Sequence, residues 1–257
     1  MSNKLLHEVM AEFIGTMVIL LFGAGVVAMV QLFGGGAPGE TVNGGYTNIT
    51  LGWGVAVALG VAISGKISGG HLNPAVTIAS ALLRGFPWSK VGPYVAAQMA
   101  GAFAGAGVVF LNYRPAFLKV DPMLEKTAGV FATFPAFPEM PLAGFMDQVI
   151  GTALLLFVVS ALTDENTLGA PAWMTPMLVG LVVVAIGMSF GALHGYAINP
   201  ARDLGPRLMT VVAGFRNNGL TDGSGVWLIP VVAPVLGAIV GAAAYDFTIR
   251  RAHHEQE

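Results

Sequence analysis

The chain contains no cysteine. Disulfides, thiolate nucleophiles and thiolate-held metals therefore lie outside its chemistry. It is also short of charge. Charged residues make up 10% of its 257 residues, whereas a soluble domain carries about a quarter. A net charge of −2 offers no basic face to nucleic acid. No His/Glu spacing suggests a metal site and no Ser/His pairing suggests a nucleophile, so no enzyme, metal or cofactor is expected. What fills the composition instead is apolar. Hydrophobic residues account for 55% of the chain, and there are 35 glycines, a residue more frequent in membrane helices than in soluble ones.

Crossing a bilayer takes about 20 mostly apolar residues. Six stretches meet that length, at 9–31, 47–66, 90–111, 145–163, 174–193 and 227–248. The first is too long for the apolar core of a cleavable leader and reads as a retained span. Polar or Gly/Pro-rich links run from 34 to 45, 112 to 144, 163 to 171 and 217 to 225. Two further apolar pieces, 74–83 and 200–213, are too short to span, and each begins with Asn-Pro-Ala.

The duplication extends beyond that tripeptide. Glu12-Phe13-Ile14-Gly15-Thr16 opens one half, and Gln148-Val149-Ile150-Gly151-Thr152 opens the other. Each half holds three spans and one short segment, and an odd number of spans forces the second half in upside down. The expected fold is therefore an all-α membrane domain over 1–257. It has six transmembrane helices and two re-entrant half-helices, in inverted repeats at 9–111 and 145–248 linked by 112–144. Basic residues lean weakly toward cytoplasmic termini: Lys66, Arg84 and Lys90 sit close to span ends on that side. The Gly101–Gly105 and Gly237–Gly241 pairs suit close helix packing. Asn48-Ile49-Thr50 matches a glycosylation sequon but abuts the second span, which makes it a chance match.

Asn is a strong helix N-cap and Pro suits the first helical position, so Asn73-Pro74 and Asn199-Pro200 each read as helix starts. One copy alone would be no more than that. Two copies at equivalent places in inverted repeats bring two helix N-termini together at the midplane, each with about half a positive charge. The Asn73 and Asn199 side chains cap their own helices and leave amide donors for whatever lies between. Such a site suits a neutral hydroxyl and repels cations.

These segments carry a resemblance. Ser68-Gly69-Gly70-His71-Leu72-Asn73-Pro74-Ala75-Val76-Thr77 is similar to the signature of the aquaporins. Gly195-Tyr196-Ala197-Ile198-Asn199-Pro200-Ala201-Arg202-Asp203 resembles its second copy in their glycerol-conducting branch, the aquaglyceroporins. The resemblance runs from Glu12 to about Tyr245. It implies a passive channel for glycerol, other small neutral solutes and water, in a multi-pass protein of the plasma membrane (the inner membrane if bacterial). It implies a homotetramer with one pore per protomer, embedded in a lipid bilayer. It also implies that the carbonyls of Gly69, Gly70, His71 and Leu72, and of Gly195, Tyr196, Ala197 and Ile198, form two acceptor ladders.

The family's narrowest point falls by spacing on Trp53, Gly187, Tyr196 and Arg202. Tyr196 precedes Asn199 by three extended residues, roughly 10 Å, and Arg202 lies one turn beyond it, so the positions can converge. Trp53 and Tyr196 supply an apolar corner, Arg202 a rigid fork of donors, and Gly187 leaves room. Water-selective relatives resemble a filter with His at the Gly187 position. Apart from the motifs, Trp53 and Tyr196 would read as interfacial aromatics.

Glu12 reads as a buried acceptor bracing a re-entrant loop, with proton coupling as the alternative. Gln148 is its partner, where the family usually shows Glu. His71 is expected to anchor its loop, and His194 to be a vestibule side chain that can titrate. Two rival functions remain: a water-selective aquaporin, disfavoured by Gly187 and Trp53, and a secondary transporter, which the scarcity of mid-span acids argues against.

Overall fold

A computed structural model describes residues 2–34, 43–167 and 170–254. The middle of the first link, residues 35–42, and residues 168–169 of the third lie outside the described residues, as do Met1 and residues 255–257. Helices α1 (Asn3–Leu32), α2 (Gly45–Ser68), α4 (Trp88–Val120), α5 (Pro141–Thr163), and α8 (Leu228–Tyr245) with the turns that continue it are long and apolar enough to cross a membrane. The two short pieces form α3 (Pro74–Leu83) and α7 (Pro200–Ala213). No strand occurs among the described residues.

The expected span at 174–193 is shorter than its apolar run. Helix α6 covers Thr175–Phe190, 16 residues, or about 24 Å at 1.5 Å per residue. Pro176 confines its start, and the chain leaves the helix at Gly191 to begin the approach to Asn199. Helix α4 instead outruns its expected end by continuing through Pro115 to Val120.

The repeats show in the contacts. α1 packs on α4, and α5 on α8. Cβ atoms on Gly101 and Gly105 would collide with the Phe13 and Met17 carbonyls of α1, and on Gly237 and Gly241 with those of Val149 and Ala153 on α5. The same small-residue seam is thus built twice. Between the repeats, α2 crosses α6 where Gly54 and Gly180 meet: a Cβ on Gly54 would lie 2.7 Å from the Gly180 carbonyl. Each half-helix also reaches across, α3 onto α8 and α7 onto α4.

Outward faces are apolar, with Phe22, Val55, Leu111 and Leu181 all exposed, the reverse of a soluble helix surface. Polar ties close one end of the bundle. Lys90 Nζ pairs with Glu8 at 2.7 Å, Arg84 with Asp246, and the Tyr245 hydroxyl donates to Asp164 at 2.9 Å.

Candidate functional site

The two Asn-Pro-Ala segments meet. Asn73 Oδ1 accepts the Ala75 N–H at 2.9 Å, and Asn199 Oδ1 accepts those of Ala201 and Arg202 at 3.0 and 3.2 Å. Both asparagines have extended backbone and precede a proline at the helix start. Their amides cross over: Asn73 Nδ2 donates to the Ile198 carbonyl and Asn199 Nδ2 to the Leu72 carbonyl, both at 2.8 Å. Sequence reasoning gave the amides wholly to the space between the helices. One of each amide's two donors is in fact spent on the opposite loop, which locks the two N-termini face to face.

The loops leading to these caps are kinked rather than extended. Leu72, Tyr196 and Ile198 have φ of +50°, +35° and +46°. Backbone of this kind costs of order 1–3 kcal/mol per non-glycine residue and persists only where its surroundings hold it. Glu12 holds the first loop. Its carboxylate accepts from the His71 and Leu72 N–H groups at 3.0 and 2.7 Å, the Ser68 hydroxyl at 2.6 Å and Gln98 Nε2 at 2.7 Å. Gln148 holds the second with different atoms: Oε1 accepts the Ile198 N–H at 2.9 Å, and Nε2 donates to the His194 carbonyl at 3.1 Å. The kinks also correct the expectation that Tyr196 is three extended residues from Asn199.

A cavity of about 150 Å³ runs past these loops. It is lined by Gly69, Gly70, His71 and Leu72 of the first loop, by Tyr196, Ala197 and Ile198 of the second, and by aliphatic residues that include Val57, Val61, Leu155, Val159 and Val183. Both asparagines line it. Gly195 packs beside Thr133: a Cβ there would lie 3.0 Å from that side chain.

Trp53, Tyr196 and Arg202 lie on this cavity. The Arg202 guanidinium lies over the Trp53 ring, 3.9 Å from its centroid, and Nη1 donates to the Phe131 carbonyl at 3.0 Å. Gly187 is not on the cavity wall. It sits behind Tyr196, where a Cβ would lie 2.8 Å from Cζ of that ring and 3.0 Å from Thr50 Cγ2. The room it leaves is filled by the tyrosine, whose hydroxyl is buried without a hydrogen-bond partner among the described residues. The Tyr46 hydroxyl donates to the Gly187 carbonyl at 3.0 Å, and its ring meets Tyr196 edge-on at 6.5 Å.

His194 is not a vestibule side chain: it is fully buried. Gly144 makes the slot, since a Cβ there would lie 2.6 Å from His194 Nδ1. The His71 ring packs among Phe86 and Tyr94 and meets the Thr77 hydroxyl at 3.2 Å.

Sequence reasoning missed the segment after α4, which it treated as a link. Thr133 donates to Asp203 through N–H and hydroxyl at 2.7 and 2.8 Å, and the fully buried Arg207 pairs with Asp203 and donates to the Thr133 and Asn218 carbonyls. Phe117, Phe131 and Phe215 pack around one another beside it. The available signal was Val130-Phe131-Ala132, an apolar run inside a polar link.

Comparison with known proteins identifies the family. The family model described as major intrinsic protein matches residues 1–245. Aquaglyceroporin-2 of Rhizophagus irregularis is 41% identical, covering 96% of this chain and 81% of its own. Aquaporin-9 of Homo sapiens is 39% identical over 100% of this chain and 87% of its own. The X-ray structure of the aquaglyceroporin from Plasmodium falciparum superposes with a TM-score of 0.86 at 31% identity, covering 98% of this chain and 99% of that one.

Proposed function

The chain belongs to the major intrinsic protein family, and we propose that it is a passive transmembrane channel for glycerol, other small neutral solutes and water. The observation that carries this reading is the double lining of the cavity, the two loops that lead to Asn73 and Asn199 on the one hand and aliphatic residues such as Val57, Val61 and Val183 on the other. Glycerol is two-faced in the same way, with hydroxyls along one edge and C–H groups along the other. Entering a narrow pore strips its hydration. The hydroxyls then donate to the carbonyls while the alkyl edge lies on valine and leucine, so little of the desolvation cost is left uncompensated.

Ions meet a different balance. Two helix N-termini face each other at Asn73 and Asn199, and Arg202 adds a permanent positive charge at the constriction formed with Trp53 and Tyr196. Cations and protons are repelled, and no group of the aliphatic wall replaces a hydration shell. The paired asparagine amides cross-linked to Ile198 and Leu72 keep one donor each for a passing hydroxyl. Glu12 serves as a loop brace, its oxygens occupied by four donors rather than left to shuttle protons. The protein works as a homotetramer in the plasma membrane with both termini cytoplasmic. This arrangement gives the apolar outward faces of the helices a neighbour or lipid to cover them.

The test is stopped-flow light scattering on proteoliposomes of the full chain, with water, urea, glycerol and a five-carbon polyol as solutes. Glycerol flux well above the lipid background and no accumulation against a gradient are expected. Water flux with glycerol at background would favour a water-selective pore, and uphill accumulation a transporter.

A further inference from the structure

Trp53 is held on two sides. The indole is almost fully buried, and Arg202 lies over its ring. What lies on the other face is Gly23 of α1, also buried. A Cβ built on Gly23 would fall well inside contact distance of Cε3, Cζ3 and Cη2, three consecutive atoms of the six-membered ring. A point approaching the ring edge in its plane could be close to one or two of these atoms but not to all three. The Gly23 Cβ direction therefore points at the ring face. Arg202 lies over the same ring system, 3.9 Å from its centroid. The indole is a plate clamped between the bare backbone of α1 and the guanidinium.

We propose that Gly23 is a specificity-determining positioning residue, which sets the width of the constriction by fixing how far the Trp53 indole stands back from the pore. The inference rests on reading Trp53, Tyr196 and Arg202 as the constriction, and it adds a residue that touches no solute. Carbon atoms pack at about 3.5–4.0 Å, so a methyl group on Gly23 displaces the ring by on the order of 1 Å. A rigid bicycle cannot absorb that by bending, and it yields toward Arg202. Ring and guanidinium both line the cavity, so the displacement is taken from its open space. A shift of that size matters little to water and much to a three-carbon polyol.

The experiment compares permeability ratios of assembled wild type, Gly23→Ala, Trp53→Phe and the double variant in proteoliposomes. Gly25→Ala adds the same methyl to the same helix where nothing lies within 4 Å, and it should keep the wild-type ratio. Gly23→Ala should lower the glycerol-to-water ratio by at least about tenfold, with urea, the narrower solute, affected less. Tenfold corresponds to ~1.4 kcal/mol of barrier. Phenylalanine lacks the fused ring that faces Gly23, so in the Trp53→Phe background the added methyl should leave the ratio unchanged. A Gly23→Ala ratio equal to wild type overturns the proposal. So does an equal fall in both backgrounds, which would mark a general packing defect. Should Gly23→Ala alone fail to assemble, the double variant decides: assembly with the Trp53→Phe ratio supports the clamp, and a further fall overturns it. A wild-type chain impermeable to glycerol would sink the glycerol reading only, and Gly23 would then be judged on the urea-to-water ratio.

Discussion

At the scale of single residues, the constriction depends on side chains that are missing as much as on those present. Gly187 gives its space to the Tyr196 ring, so a larger residue there acts on solutes through the tyrosine. Gly187→His should push that ring into the cavity and cut the glycerol-to-water permeability ratio by about tenfold or more, or ~1.4 kcal/mol of barrier, while retaining water flux. An unchanged ratio in assembled protein would refute this account of the site. That Arg202 would sit against the cavity was legible, because a basic side chain just past a midplane helix start needs a partner or water. Its stacking on Trp53 and its bond to the Phe131 carbonyl were not; a backbone acceptor has no signature in residue identity. Arg202→Val removes the charge, uncovers the indole and leaves that carbonyl unpaired. Solute flux should remain measurable, and proton leak, followed with a pH dye under an imposed potential, should rise above wild type.

At the scale of elements, the duplicated Asn-Pro-Ala segments made both half-helices readable from sequence, since cap and proline act locally. The brace asymmetry was readable only as a departure. In the first repeat Tyr94 donates to the Ser68 carbonyl at 3.0 Å, and Gln98 to Glu12. The second repeat carries Pro230 and Pro234 at the equivalent places on α8, and these donate nothing. An amide at 148 answers both needs, accepting from Ile198 N–H and donating to the His194 carbonyl. The segment after α4 escaped detection because its start is wound around one carboxylate and its end is tied to Asp203 and Arg207, far along the chain. Burial raises the Asp121 carboxyl, but N–H donors from Lys126 and Glu125 and both donors of Thr127 more than offset this, holding its pKa below the usual value. A depressed carboxylate pKa contributes stability above the unfolded value, about 3.9, and that contribution is lost as pH falls through the folded value. Asp121→Asn should therefore lower the thermal midpoint at neutral pH and at pH 5. The gap to wild type should narrow only below about pH 4. A gap that closes between pH 7 and pH 5 would contradict the assignment.

At the scale of the whole molecule, composition sets one pharmacological limit. With no cysteine anywhere in the chain, mercury finds no thiolate, and flux in purified proteoliposomes should survive mercuric chloride. Prompt inhibition reversed by added thiol would contradict this. The reciprocal bonds from Asn73 to Ile198 and from Asn199 to Leu72 also impose an order in time. Chains emerge from the ribosome N-terminus first, so Asn73 is in place long before the carbonyl it will bind has been synthesised. Until the second half enters the bilayer, the first has a kinked loop, an unmatched amide and an unmatched carbonyl at the depth where lipid offers neither donor nor acceptor. The nascent first half must keep that loop near water or shielded by other helices. The cavity is then completed only after the second half has arrived, when Asn199 and Ile198 supply the missing partners.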